Sequence, residues 1–155
     1  MNSKTLDNLT IIKITGEYEE MARNLVLEGL LERFDFIDNS YNPDLKDILK
    51  TYGTDGTLFL IGFIREELIC TGALTKEKED TGRIQRMSVK KKYRRQGVAN
   101  RMIKELELLA KEMGYKKIVL ETNNNWISAI KFYRKNGYVE YHNDGECTHF
   151  IKTAE

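Results

Sequence analysis

The sequence predicts a mixed α/β (α+β) fold: a central, mostly antiparallel sheet of about seven strands flanked by about four helices. Three observations carry this. Two apolar runs of strand length, TLFLIGFI at 57–64 and LICTGALT at 68–75, are separated by Arg65, Glu66 and Glu67 and read as a hairpin. Strand-like stretches at 83–89 and 117–122 bracket a long amphipathic helix, the pattern of a parallel, right-handed crossover. The chain then closes on a second hairpin around Asp144-Gly145.

Residues 9–14 carry β-branched side chains before Gly16 and read as the first strand. The stretch 17–34 reads as a helix, with acidic residues in its first turn and an apolar stripe of Met21, Leu25, Leu27, Leu31 and Phe34. A loop, Asp38 to Asn42, precedes the single proline, Pro43, which suits the first turn of a second helix over 43–52. Gly53 and Gly56 break the chain before the first hairpin. Residues 76–82 read as a polar turn. In the helix at 98–113, Val98, Met102, Leu106, Leu109 and Met113 recur at spacings of three and four, and Gly114 stands where a left-handed cap belongs. A loop at Asn123 to Asn125 leads into a helix over 127–135, stopped by Asn136-Gly137, and strands at 138–142 and 147–152 finish the chain.

At 155 residues, with 41% hydrophobic content and no low-complexity linker or repeat, a single domain over 1–155 is expected. The 25 basic and 24 acidic residues balance, which argues against a nucleic-acid surface. No stretch is apolar enough to cross a bilayer and the first ten residues lack an apolar signal core, so a cytoplasmic protein without membrane partners is expected. Cys70 and Cys147 form no C-x-x-C pair, and His142 and His149 lack ligand partners at recognisable spacing. Reduced thiols and no metal are the expectation. Exposed sheet edges are compatible with a monomer or a homodimer.

The informative segment is strand, basic turn, glycine, helix: RMSV-KKKYRRQGVA-NRMI. A helix N-terminus exposes N–H groups without intrahelical partners, and its dipole favours an anion. Gly97 removes a side chain where backbone would approach that anion, Ala99 keeps the next turn open, and Arg94 and Arg95 add charge. A pyrophosphate held by the N–H groups of Gln96, Gly97, Val98, Ala99 and Asn100 is the chemistry this pattern suits. The segment contains neither G-x-x-x-x-G-K-[ST] nor G-x-G-x-x-G, so a nucleoside-triphosphate loop and a dinucleotide fingerprint are both disfavoured. Lys90, Lys91 and Lys92 read either as a solvated turn or as partners of a further phosphate.

Arg94-x-x-Gly97-x-Ala99 resembles the Q/R-x-x-G-x-G/A signature of the GNAT superfamily of acetyl-CoA-dependent N-acetyltransferases. The stretch from Ala129 through Tyr133 to Gly137-Tyr138 is similar to that family's later helix, A-x-x-x-Y-x-x-x-G-[FY]. The resemblance implies a splayed sheet in which the strands before and after the motif part. The pantetheine arm of acetyl-CoA would pair with the backbone of Met87, Ser88 and Val89, and its 3′-phosphate is a candidate partner for Lys90 to Lys92. The amine acceptor would enter from the opposite side and attack directly.

The resemblance also assigns Tyr133 as the general acid for the departing thiolate; by spacing alone it reads equally as a core aromatic. Some members place a glutamate on the strand before the loop, but Arg83, Gln85 and Arg86 stand there, with no carboxylate. Glu121 is the candidate base, its other reading being a solvated strand-end charge. Trp126 occupies the position of an asparagine that several members carry seven residues before the tyrosine, with Asn124 or Asn125 as substitutes. The expected activity is transfer of acetyl to a small-molecule or amino-acid-like primary amine. The alternatives are a protein N-terminus or lysine as acceptor, with Phe34, Phe36 and Tyr41 near that site, and a non-catalytic CoA-binding module.

Overall fold

The computed structural model describes residues 6–34 and 42–154. Seven strands form one sheet: β1 Leu9–Lys13, β2 Leu58–Ile64, β3 Glu67–Lys78, β4 Thr81–Val89, β5 Lys117–Asn123, β6 Val139–Asn143 and β7 Cys147–Thr153. Their order is β1-β2-β3-β4-β5-β7-β6. Every neighbouring pair is antiparallel except β4 and β5. The α-helices that lie wholly among the described residues are α1 Glu19–Phe34, α2 Ile48–Thr51, α3 Val98–Glu112 and α4 Ile127–Lys135. This is the mixed, mostly antiparallel architecture that the hairpins and the single crossover imply.

Three local expectations are corrected. The stretch 76–82 is not a loop: β3 runs on to Lys78 and β4 starts at Thr81, leaving Glu79-Asp80 as the turn. Charge there does not mark a turn but stabilises the ladder, since Arg83 Nη2 meets Glu77 Oε2 at 2.6 Å. The helix expected over 43–52 is split into a 3₁₀ turn, Pro43–Leu45, and the one-turn α2. Asp47 divides them because its side chain accepts from the Lys50 N–H and so starts a new helix. In α1 the buried face is Ala22, Leu25 and Val26, whereas Met21 and Leu31 are exposed. The face chosen is the one that seats small Gly29 over Ser88 of β4, with its Cβ position 3.8 Å from Ser88 Oγ.

The sheet separates two cores. On one side Val98, Met102, Ile103, Leu106 and Ala110 of α3 pack with Leu74, Ile84, Ile118, Leu120 and Phe150. Gly72 of β3 makes this close approach possible, because a Cβ there would sit 2.8 Å from Leu106 Cδ1 and 2.9 Å from Met102 Cγ. On the other side Ala22, Leu25 and Val26 of α1, with Ile48 and Tyr52, cover Phe59, Ile61, Phe63 and Ala73. Side chains alternate along a strand. With Ile84, Ile118 and Leu120 in the α3 core, Arg83, Val119 and Glu121 face the α1 side.

The feature that positions the site is a short parallel contact. β4 and β5 pair only at Thr81↔Lys117, Gly82↔Ile118 and Arg83↔Val119. Beyond that point β4 stays with β3, through Ser88↔Thr71 and Val89↔Cys70, while β5 goes with β7, through Glu121↔His149 to Asn123↔Cys147. The sheet therefore opens between Ile84–Val89 and the end of β5. A bulge sharpens the divergence: register shifts between Thr71 and Ala73, and Arg86 takes φ 58°.

Candidate active site

The opening leads directly to the start of α3. β4 ends at Val89, a 3₁₀ turn covers Lys91–Tyr93, and the chain passes through Arg95 at φ 63° to Gly97 at φ 85°. Gly97 is the N-cap of α3 in the left-handed region, which glycine alone adopts freely. No side chain caps this helix and no acidic residue stands in its first turn. The N-terminal N–H groups and the dipole of a long helix thus lack the internal anion that most helix starts recruit. Together with two arginines, this donor set fits a pyrophosphate.

The flanking cations are distributed differently from the sequence expectation. Lys90 Nζ and Lys92 Nζ bind Glu67 at 3.0 and 3.3 Å, and Tyr93 hydroxyl donates to it at 2.8 Å. The bond from Lys90, with that from Tyr93, pulls the Glu67 carboxyl down to about 2. Two of the three lysines are thereby occupied in bracing the turn. Arg94 forks onto Glu32 of α1 at 2.8 and 3.2 Å and donates from Nε to the Val89 carbonyl at 2.9 Å. Arg95 projects into solvent. Gln96 Nε2 donates to the Lys92 carbonyl at 3.1 Å.

Met87, Ser88 and Val89 line the open edge of β4, half-buried. Across the opening, Tyr133 of α4 packs against the α3 core, with ring centroids 5.2 Å from Phe132, 5.9 Å from Tyr138 and 6.1 Å from Phe150. Burial pushes its phenol up to about 12, and the Arg33 guanidinium works against that rise. Arg33 belongs to α1 and stacks over the Trp126 ring at 4.2 Å. A residue of one layer thus acts on a residue of the other at the opening. Asn124 does not present a free amide: its Nδ2 donates to Asn143 at 3.0 Å and its Oδ1 accepts from Thr148 at 2.6 Å.

Glu121 stands on the α1 side, opposite to the layer that holds Tyr133. It meets Arg83 Nη1 at 3.4 Å and His149 Nε2 at 3.5 Å. His149 also contacts Asp144 Oδ2 at 2.9 Å. Among the described residues, Glu121, Asp144 and Cys147 each bring one donor atom within 4.8 Å of the others, a grouping their spacing did not suggest. Both carboxylates are exposed and already share His149, and two N–H groups of the hairpin donate to Asp144. Neither cysteine is an activated nucleophile: burial raises Cys70 to about 12, and burial with nearby carboxylates raises Cys147.

One constellation escaped the sequence reading. Asp44 accepts from Arg86 Nε and Nη2 at 2.9 and 2.6 Å and from Tyr52 hydroxyl at 2.6 Å, and Gln85 Nε2 donates to the Tyr52 oxygen at 2.7 Å. β4 supplies no carboxylate of its own here, and Asp44 brings one from 42 residues away. Nothing in its local sequence marks it. Burial raises the Asp44 carboxyl, but the bonds from Arg86 and Tyr52 outweigh that and hold it below the ordinary range. A lowered folded value means stability that is present above the ordinary aspartate range near about 4 and is lost as pH falls through the folded value. Asp44→Ala should leave the largely buried Arg86 without its carboxylate and cost about 2–4 kcal/mol. Urea denaturation reads this directly, and an unchanged midpoint would show that the pair is dispensable.

Phe36 and Tyr41, and the side chain of Phe34, lie outside the described residues. No helix among the described residues is long and apolar enough to cross a membrane.

Comparison with known proteins places this geometry. The family profile "Acetyltransferase (GNAT) domain" matches residues 55–140. N-acetyltransferase 8B of Homo sapiens is 28% identical over 109 residues, covering 66% of this chain and 48% of that protein. The chain thus spans about half the length of the curated relatives it matches. Among solved structures, a GNAT-family acetyltransferase from Staphylococcus aureus Mu50 superposes with a TM-score of 0.87 at 22% identity, covering 95% of this chain and 99% of that one. The PaiA N-acetyltransferase of Thermoplasma acidophilum, solved in complex with coenzyme A, gives 0.79 at 18% identity, covering 94% and 98%. With its splayed sheet, its uncapped glycine helix start and the profile match across both, this chain belongs to the GNAT acetyltransferase family.

Proposed function

We propose that the protein is an acetyl-CoA-dependent N-acetyltransferase acting on a primary amine, with a small-molecule or amino-acid-like acceptor. The observation that carries the reading is the uncapped, left-handed Gly97 start of α3 at the mouth of the β4/β5 opening. Coenzyme A in the PaiA complex supports it. The N–H groups of Gln96, Gly97, Val98, Ala99 and Asn100, with Arg94 and Arg95, would hold the pyrophosphate. The backbone of Met87, Ser88 and Val89 would pair with the pantetheine arm, and Lys91, exposed and not engaged by Glu67 as Lys90 and Lys92 are, is the lysine of the basic run offered for a further phosphate.

Acetyl-CoA, when bound, supplies a thioester carbonyl that an amine can attack. The roles of the chain's own residues follow from their placement on either side of the opening. Tyr133 keeps its proton at any physiological pH, because its phenol lies near about 12. A thiol ionises near about 8.5, so complete proton transfer to a thiolate is uphill by several kcal/mol at about 1.4 per unit. Tyr133 therefore acts first as an oriented hydrogen-bond donor to sulfur, and Arg33 offsets part of the mismatch. Glu121, on the face where the acceptor enters, is the residue able to take the amine proton, directly or through water. Its contacts with Arg83 and His149 fix its position.

Labelled acetyl-CoA incubated with panels of polyamines, amino acids and peptides tests the reading. Label in small amines is the expected result. Label in peptides alone would move the acceptor to protein. Tight CoA binding with no transfer across all panels would leave a CoA-binding module.

A further inference from the structure

We infer that Glu32 is an affinity-setting residue of the cofactor site: its carboxylate and the pyrophosphate of acetyl-CoA are alternative occupants of the Arg94 guanidinium. The inference rests on the phosphate-loop reading above. α1 covers the sheet face opposite α3, yet its last turn reaches the mouth of the loop. Arg94 Nη1 donates to Glu32 Oε2 at 2.8 Å and Nη2 to Oε1 at 3.2 Å, while Nε is committed to the Val89 carbonyl at 2.9 Å. The edge turned to Glu32 is the same pair of parallel donors that phosphate oxygens take.

The neighbouring residue keeps Glu32 in place. Arg33 stacks on Trp126 at 4.2 Å, so the last turn of α1 is anchored on the α4 side as well as at the loop. The Arg94 bond also holds the Glu32 carboxyl below its ordinary range. Both side chains are 41% exposed, so the pair is weak. A pyrophosphate that also collects the N–H groups of the loop displaces it. The displaced carboxylate then stands beside a multiply charged anion. Competition before binding and repulsion after it act in the same direction, and both weaken the affinity for acetyl-CoA.

Calorimetric titration of acetyl-CoA into wild type, Glu32→Gln, Arg94→Ala and the double variant tests this. Glu32→Gln should tighten Kd by about fivefold, the size of an exposed charge pair. Arg94→Ala should weaken it, and most of the Glu32→Gln gain should vanish in the double variant. A Glu32→Gln Kd equal to or weaker than wild type, with Arg94→Ala impaired, would overturn the competition and leave the phosphate loop standing. A gain that persists undiminished without Arg94 would also overturn it, since Glu32 would then act by general repulsion. Acetyl-CoA binding that survives Gly97→Glu would instead sink the phosphate-loop reading, and this inference with it. Circular dichroism of each variant verifies that these exposed changes leave the fold intact.

Discussion

Gly97→Glu is expected to weaken acetyl-CoA binding by at least about a hundredfold while leaving the rest of the fold in place. Two separate effects combine. Gly97 sits at φ 85°, where a side chain costs about 1–2 kcal/mol of fold stability, and the added Cβ would crowd the anion where the backbone approaches it. The new carboxylate would also occupy the end of α3 and offer the dipole an internal anion. Gly97→Ala separates the two, since it carries the backbone cost without the charge. A loss for alanine of about tenfold, and a much larger one for glutamate, is the expected order in a calorimetric titration. Equal binding by wild type and Gly97→Glu would remove the helix start of α3 from the cofactor site.

Tyr133→Phe is expected to lower kcat by about a hundredfold with the acetyl-CoA Kd unchanged to within about twofold. Phenylalanine keeps the ring contacts with Phe132, Tyr138 and Phe150 that seat α4, so only the hydroxyl is lost. The pH profile gives a second check. A general acid works while it is protonated, below its folded pKa. With the phenol near about 12, Tyr133 contributes no falling limb through neutral and mildly alkaline pH. A titration of kcat near pH 8 that disappears in Tyr133→Phe would contradict the burial described above. An unchanged kcat at saturating substrate would return Tyr133 to the core as a packing residue.

Much of this was legible along the chain because the signals are local. Apolar runs of strand length bounded by turn residues set out the first hairpin and period-3.6 patterning set out α3, and the strand-turn-glycine-helix order of residues 83–113 raised the expectation of an anion site from backbone chemistry alone. Gly97 stood out because close approach of backbone to an anion calls for a residue without a side chain, and its left-handed φ of 85° is what the structure added. The limits of β3 and β4 were less legible: Lys76, Glu77 and Lys78 look like a turn until Arg83 is paired with Thr75 and its guanidinium reaches Glu77.

What only the tertiary structure decided is which charges meet. The sequence presents Arg94 as a phosphate ligand, but its being already held by Glu32 depends on how α1 crosses the sheet. The absence of a carboxylate from β4 is plain in the sequence, and its replacement by Asp44 is not, because 42 residues separate Asp44 from Arg86. Tyr133 and Glu121 fall on opposite faces through strand alternation and the parting of β4 from β5, neither of which local spacing encodes. Helix, strand and the uncapped glycine turn are short-range properties of backbone and side-chain chemistry. Ion-pair partners, burial and the two-sided geometry of the opening are long-range ones, fixed only when the sheet closes and its layers pack.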